Sequence, residues 1–177
     1  MNDKVSYIYN ILSNIDWNYH IVFTYPYLNQ RSNTIEAIQI RLNKFYKFTA
    51  RLSSYLKLRR NQHIFAFSDE YSDAQHGHLH ALYKLPEKYQ GNDQQFIAMA
   101  QKVWPSALNI SPSKAQAINK LNISIISPES YQSKVNYVAR KIMATDSPDF
   151  LSPLASRLIK RCNSECDPQY STDISRR

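Results

Sequence analysis

Glycine is almost missing from this chain: Gly77 and Gly91 are the two among 177 residues. A phosphate-cradling loop, a dinucleotide fingerprint and a Gly-x-Ser-x-Gly nucleophile elbow each need two or three glycines within about six residues, and Gly77 and Gly91 stand too far apart for any of them, so P-loop nucleotide binding and those two enzyme classes are excluded. Cysteine is as scarce. Cys162 and Cys166 stand together near the C-terminus with no second ligand pair beside them, which excludes a disulfide framework and a four-ligand zinc site. No run approaches the ~18 uninterrupted apolar residues of a membrane-spanning helix. The opening Met-Asn-Asp-Lys-Val-Ser-Tyr has no basic cap followed by an apolar stretch, so no secretory signal is expected. The expectation is a soluble, cytoplasmic protein without a membrane partner. Acidic residues are the last shortage, 14 against 22 Lys plus Arg, giving a net charge of +8.

What is present suits a counter-charged partner. Basic domains of this kind neutralise nucleic-acid phosphates and release their counterions. Thirteen tyrosines offer flat surfaces on which unpaired bases can stack. The plain alternative is a basic, well-solvated surface. Hydrophobic residues at 43% and a length of 177 residues allow one domain with a real core.

Periodicity orders the elements. Residues 17 to 25 alternate, with Tyr19, Ile21, Phe23 and Tyr25 on one face, and predict a strand closed by Pro26. From 34 to 58, Ile35, Ile38, Leu42, Phe45, Phe48, Leu52 and Tyr55 step by three or four and predict a helix, capped by Asn33 or Thr34. Arg41, Lys44, Lys47 and Arg51 line its other side. His63 to Glu70 and Gly77 to Tyr83 read as two strands of an antiparallel hairpin. A helix is expected from 92 to 103, ended by Trp104-Pro105, then a short strand at 122 to 126. Ser127-Pro128-Glu129 starts a last helix to about 143. Residues 1–148 are expected to form one α+β domain, a central antiparallel sheet with flanking helices, and 149–177 a short helix (151 to 161) and a tail.

Chemistry concentrates in Gln75-His76-Gly77-His78-Leu79-His80-Ala81-Leu82. Residues two apart on a strand share a face, so His78 and His80 present adjacent imidazoles while Leu79 turns inward. That spacing suits chelation of one divalent ion, and a hard third ligand would select Mg²⁺ or Mn²⁺. Glu70, at the end of the preceding strand, is the expected third ligand. Asp69 competes with it but has the opposite orientation. A nucleophile accompanies the pair. Of two Tyr/Lys pairs on the last helix, Tyr131 lines up with the core stripe Val135, Val138 and Ile142, whereas Tyr137 stands off it beside Lys134 and Lys141. A phenol with an ordinary pKa near 10 needs such cationic help to attack.

These pieces together resemble the HUH endonucleases, specifically the single-tyrosine replication-initiator (Rep) type of nicking enzyme. The likeness rests on the Trp17 to Tyr25 strand, the long basic helix, His78-Leu79-His80-Ala81-Leu82 and Tyr137-Val-Ala-Arg-Lys141, in the family's order over about residues 15 to 145. It implies a ferredoxin- or RRM-like palm in which His78, His80 and Glu70 hold Mg²⁺ or Mn²⁺. It further implies that Tyr137 attacks single-stranded DNA to leave a 5′-phosphotyrosine link and a free 3′-OH, with Lys141 assisting. Lys134, Arg140, Lys44, Lys47 and Arg51 are the expected DNA-binding cations. The implied substrate is single-stranded or hairpin DNA at a replication origin or element end, in a bacterial host. With no helicase module in these residues, either a host helicase and polymerase are implied partners or the chain is a nuclease domain cut from a longer protein. His76 makes a second, overlapping His-x-His pair; His78/His80 is chosen because Ala-Leu follows the second histidine. Arg140 competes with Lys141 as the assisting cation. The rival readings are a single-tyrosine HUH transposase acting on hairpin ends and a non-catalytic, basic DNA-binding module.

Overall fold

A computed structural model describes residues 3–25, 34–58, 64–72, 75–111, 121–145, 151 and 155–156, without the side chains of 3, 70–72, 75–77, 88, 144 and 145. Among the described residues, four α-helices, α1 (Asp3–Ser13), α2 (Ile35–Tyr55), α3 (Asp93–Leu108) and α4 (Pro128–Thr145), flank four strands. The strands are β1 (Tyr19–Thr24), β2 (Ile64–Ser72), β3 (Gln75–Lys84) and β4 (Asn122–Ile125). They form one antiparallel sheet in the order β2-β3-β1-β4. The unit β1-α2-β2 is therefore split by β3, and β3-α3-β4 is split by β1, the interleaved arrangement of two split β-α-β units.

Strand alternation sorts the residues onto two faces. Tyr19, Ile21, Phe23, Tyr25, Phe65, Phe67, Leu79, Ala81 and Tyr83 join α2 and α3 in one apolar cluster. At its centre Phe23 meets Phe45, Phe48 and Trp104 edge-on, with ring centroids 4.9–5.2 Å apart. Such pairs add about 0.5–1.5 kcal/mol each beyond the area they bury. On the opposite face, Ala66 and Leu82 pack with Trp17, with Val5 and Leu12 of α1, and with Val135, Val138, Ala139 and Ile142 of α4. The sequence pattern placed the strands and three of the helices within a few residues; α1 had no place in it.

Three further differences have physical causes. The buried stripe of α2 runs through Ala37, Arg41, Phe45, Phe48, Thr49, Leu52 and Ser53, while Ile35 and Tyr55 are 76% and 55% exposed. Arg41, expected on the polar side, is fully buried because Asp69 of β2 accepts from its Nε at 2.7 Å and Nη2 at 2.5 Å. Tyr25 donates its hydroxyl to the Arg41 carbonyl at 3.0 Å. Helix α3 continues past Trp104-Pro105 to Leu108. Proline removes one backbone bond, but Trp104 just before it and Ala107 and Leu108 beyond it are all buried, and burying a large apolar side chain returns about 1.5–3 kcal/mol. Past the expected boundary at 148, Leu151 bridges to Ala66 of β2 and Ala155 is buried in the second cluster. Both cysteines lie outside the described residues.

Candidate active site

The histidine motif lies in the middle of β3, the strand between β2 and β1. Leu79, Ala81 and Tyr83 point into the aromatic core, so the period of two sends His78, His80 and Leu82 to the other face. Their imidazoles sit 6.4 Å apart, centroid to centroid. His80 is buried and His78 half-buried. Opposite His80 in the β2–β3 ladder is the buried Ser68.

Helix α4 crosses this face and supplies the phenol. The Tyr137 ring lies 5.2 Å from His80 and 5.9 Å from a third imidazole, His20, meeting both edge-on. Lys141, one helical turn on, holds its Nζ 5.2 Å from the Tyr137 ring centroid. A cation so placed is attracted to the ring and raises the local positive potential. Tyr137 keeps 39% of its surface exposed although it touches two histidines. A phenol that is anchored by its ring edge and still open to solvent can meet a large, flexible substrate. Tyr131 is different: its hydroxyl donates to the Ile15 carbonyl at 2.6 Å, and the ring packs against the second cluster. Burial, helped by Asp16 and Tyr9, pushes its pKa up to about 12. The helical separation of Tyr137 from Tyr131 thus has its counterpart in the structure.

His20 of β1 is the site residue that the sequence pattern missed. Its ring lies parallel to that of His80, 5.5 Å away and tilted by 5°, and His20 Nε2 is 3.3 Å from His80 Nδ1. Burial, His80 and the Lys134 cation, in that order, bring its pKa down to about 3, so the ring is neutral at physiological pH. A signal for it existed in the alternation of β1. Tyr19, Ile21 and Phe23 take the core face, which leaves His20 on the face that β3 gives to its histidines.

Other expected site residues divide by layer. Asp69 is taken by Arg41 on the aromatic-core side of the sheet, which removes it from the histidine face. Burial raises the Asp69 pKa while the Arg41 guanidinium pulls it back. Glu70 stands opposite His78 in the β2–β3 ladder; its side chain, like that of His76, lies outside the described residues. Lys134 is half-buried and close enough to His20 to disfavour the protonated imidazole. Arg140 is exposed on α4. Lys44, Lys47 and Arg51 lie on α2, whose apolar side packs on the other face of the sheet, so the structure does not bring them to Tyr137. Lys44 donates to the Leu108 carbonyl at 3.4 Å and Arg51 bonds the Ser106 hydroxyl of α3. Partial burial and the neighbouring Lys47 and Arg51 charges lower the Lys44 pKa.

His78 and His80 fit a divalent cation in donor type and in sharing one strand face. Among the described residues no three His, Cys, Asp or Glu side chains converge on one point, so any third protein ligand comes from outside that set. No described helix is long and apolar enough to cross a membrane. No protein-family model, curated protein or solved structure matches this chain.

Proposed function

We propose that this protein is an HUH-type, metal-dependent nuclease that nicks and rejoins single-stranded DNA through a 5′-phosphotyrosine intermediate, as rolling-circle replication initiators do. The observation that carries the reading is the packing of the Tyr137 ring against His80, the second histidine of the motif, with Lys141 above the same ring. A phenol and a cation from one helix and an imidazole pair from a distant strand meet on one sheet face. The split β-α-β sheet, with the histidines on a central strand, is compatible with the palm such enzymes use.

In this mechanism His78 and His80, with Glu70 as the third ligand, would hold Mg²⁺ or Mn²⁺, and the cation would supply Lewis-acid polarisation of the scissile phosphate. Tyr137 Oη gives up its proton to solvent and forms the new P–O bond, the bond from phosphorus to the 3′-oxygen breaks, and that oxygen leaves and takes up a proton from solvent to become the free 3′-OH. Lys141 stabilises the developing phenolate, with Arg140 as the competing candidate, and Lys134 extends the positive potential toward the incoming backbone. Attack of a 3′-OH on the phosphotyrosine reverses the sequence and joins ends. Single-stranded or hairpin DNA at an origin is the substrate, and a host helicase and polymerase complete replication.

A transposase that shares this chemistry is the second reading. The test is incubation with pooled single-stranded oligonucleotides and Mn²⁺. A protein–DNA adduct that survives a denaturing gel, and whose modified peptide maps to Tyr137, is the expected result. No adduct with any pool, or a nucleotide on another residue, refutes the reading.

A further inference from the structure

His20 touches His80 and Tyr137, yet neither the His-x-His motif nor the tyrosine chemistry gives it a role. It is 6% exposed, and its Nε2 lies 3.3 Å from His80 Nδ1 in a near-parallel pair of rings. Two imidazole nitrogens at this distance hold one proton between them: one ring donates and the other accepts. If His20 donates, His80 Nδ1 uses its lone pair as acceptor, and the neutral His80 carries its proton on Nε2. If His80 donates from Nδ1, its Nε2 keeps a lone pair. Only the second arrangement leaves His80 a nitrogen able to ligate a cation. A His20 that carries its proton on Nδ1 presents Nε2 as the acceptor.

We infer that His20 is a positioning residue for His80: its Nε2 accepts the Nδ1 proton of His80 and so fixes the tautomer whose Nε2 lone pair faces a divalent cation. This role rests on the proposal that His80 is a metal ligand. Partners that orient ligating histidines in this way typically change metal affinity by about 10–100-fold when removed. His20 is also a specific choice of residue, because the acceptor must be a buried side chain projecting from the adjacent strand. In the β1–β3 register His20 stands opposite Leu82 and Val22 opposite His80, so the imidazole reaches diagonally to the neighbouring ring.

The experiment has two arms. Long-range ¹H–¹⁵N correlation spectra of the metal-free protein near neutral pH report which nitrogen of each histidine is protonated. The expected result is an Nδ1-protonated His80 in the wild type, loss of that preference in His20→Phe, and its return in His20→Gln, whose amide oxygen can accept the same proton. Mn²⁺ titration followed by electron paramagnetic resonance should then give about 10–100-fold weaker binding for His20→Phe and recovery in His20→Gln. An Nε2-protonated His80 in the wild type overturns the inference without any variant having to fold. Unchanged Mn²⁺ affinity in a folded His20→Phe overturns it as well. If the wild-type protein binds no Mn²⁺ while His80 shows the expected tautomer, the metal reading fails and the positioning role fails with it. That outcome is distinct from a failure of the tautomer alone.

Discussion

Replacing Tyr137 and Tyr131 by phenylalanine, one at a time, separates nucleophile from packing residue on a single helix. Each change deletes one hydroxyl oxygen and keeps the ring. At Tyr137 the ring contacts with His20 and His80 survive, and with the side chain 39% exposed the stability should stay within about 0.5 kcal/mol of wild type. The covalent adduct should vanish altogether, because no atom remains to form the bond to phosphorus, while DNA binding persists. At Tyr131 the order reverses. Loss of the 2.6 Å bond to the Ile15 carbonyl should cost about 1 kcal/mol, a fall of about 2–4 °C in Tm for a chain of this size, with the adduct retained. Alkaline pH gives an independent check. A folded-state pKa near 12, against 10.0 for an unperturbed tyrosine, means the contribution of Tyr131 is fully present below pH 10 and is lost as pH rises toward 12. That part of the alkaline loss should disappear in Tyr131→Phe. The assays are a denaturing gel with labelled oligonucleotide and Mn²⁺, and thermal melts between neutral pH and pH 11. An adduct in Tyr137→Phe, or its loss in a folded Tyr131→Phe, refutes the assignment.

The other expectations concern metal, ion pair and charge. His78→Ala and His80→Ala should each abolish Mn²⁺-dependent cleavage, as judged by nicking of a labelled strand, whereas His76→Ala should act far more mildly; equal loss in all three would show the pair to be wrongly chosen. Asp69→Asn leaves the Arg41 charge buried without its carboxylate and should lower the unfolding free energy in urea by about 3–5 kcal/mol. Glu70→Gln should instead raise the Mn²⁺ concentration needed for cleavage at little cost in stability, and the reverse ranking would place the ligand on Asp69. Lys141→Ala should slow adduct formation without ending it, because positioning still carries part of the barrier. Affinity for single-stranded DNA should fall steeply with salt and exceed that for blunt duplex at one stated salt concentration. Removing Lys134 and Arg140 should weaken that binding more than removing Lys44, Lys47 and Arg51 from the far layer, and the opposite order would place the strand on α2.

Period and spacing along the chain were enough for the strands, for α2 to α4, and for the separation of Tyr137 from Tyr131, because those are properties of one element at a time. A strand of period two must put His78 and His80 together, and a helix must part residues six positions along it from the stripe of Val135 and Val138. Contacts between elements had no such local signature. Whether Arg41 faced water or the core depended on Asp69, 28 residues away, offering a buried carboxylate. The path of α3 through Pro105 depended on the core waiting for Trp104, Ala107 and Leu108. The basic residues of α2 looked like companions of the histidines until the sheet was seen to stand between them. His20 became a site residue only when β1 paired with β3. A histidine at that position in an alternating strand is chemically mute until a neighbouring strand brings a second imidazole to 3.3 Å, and pairing register is decided by the packing of the whole sheet.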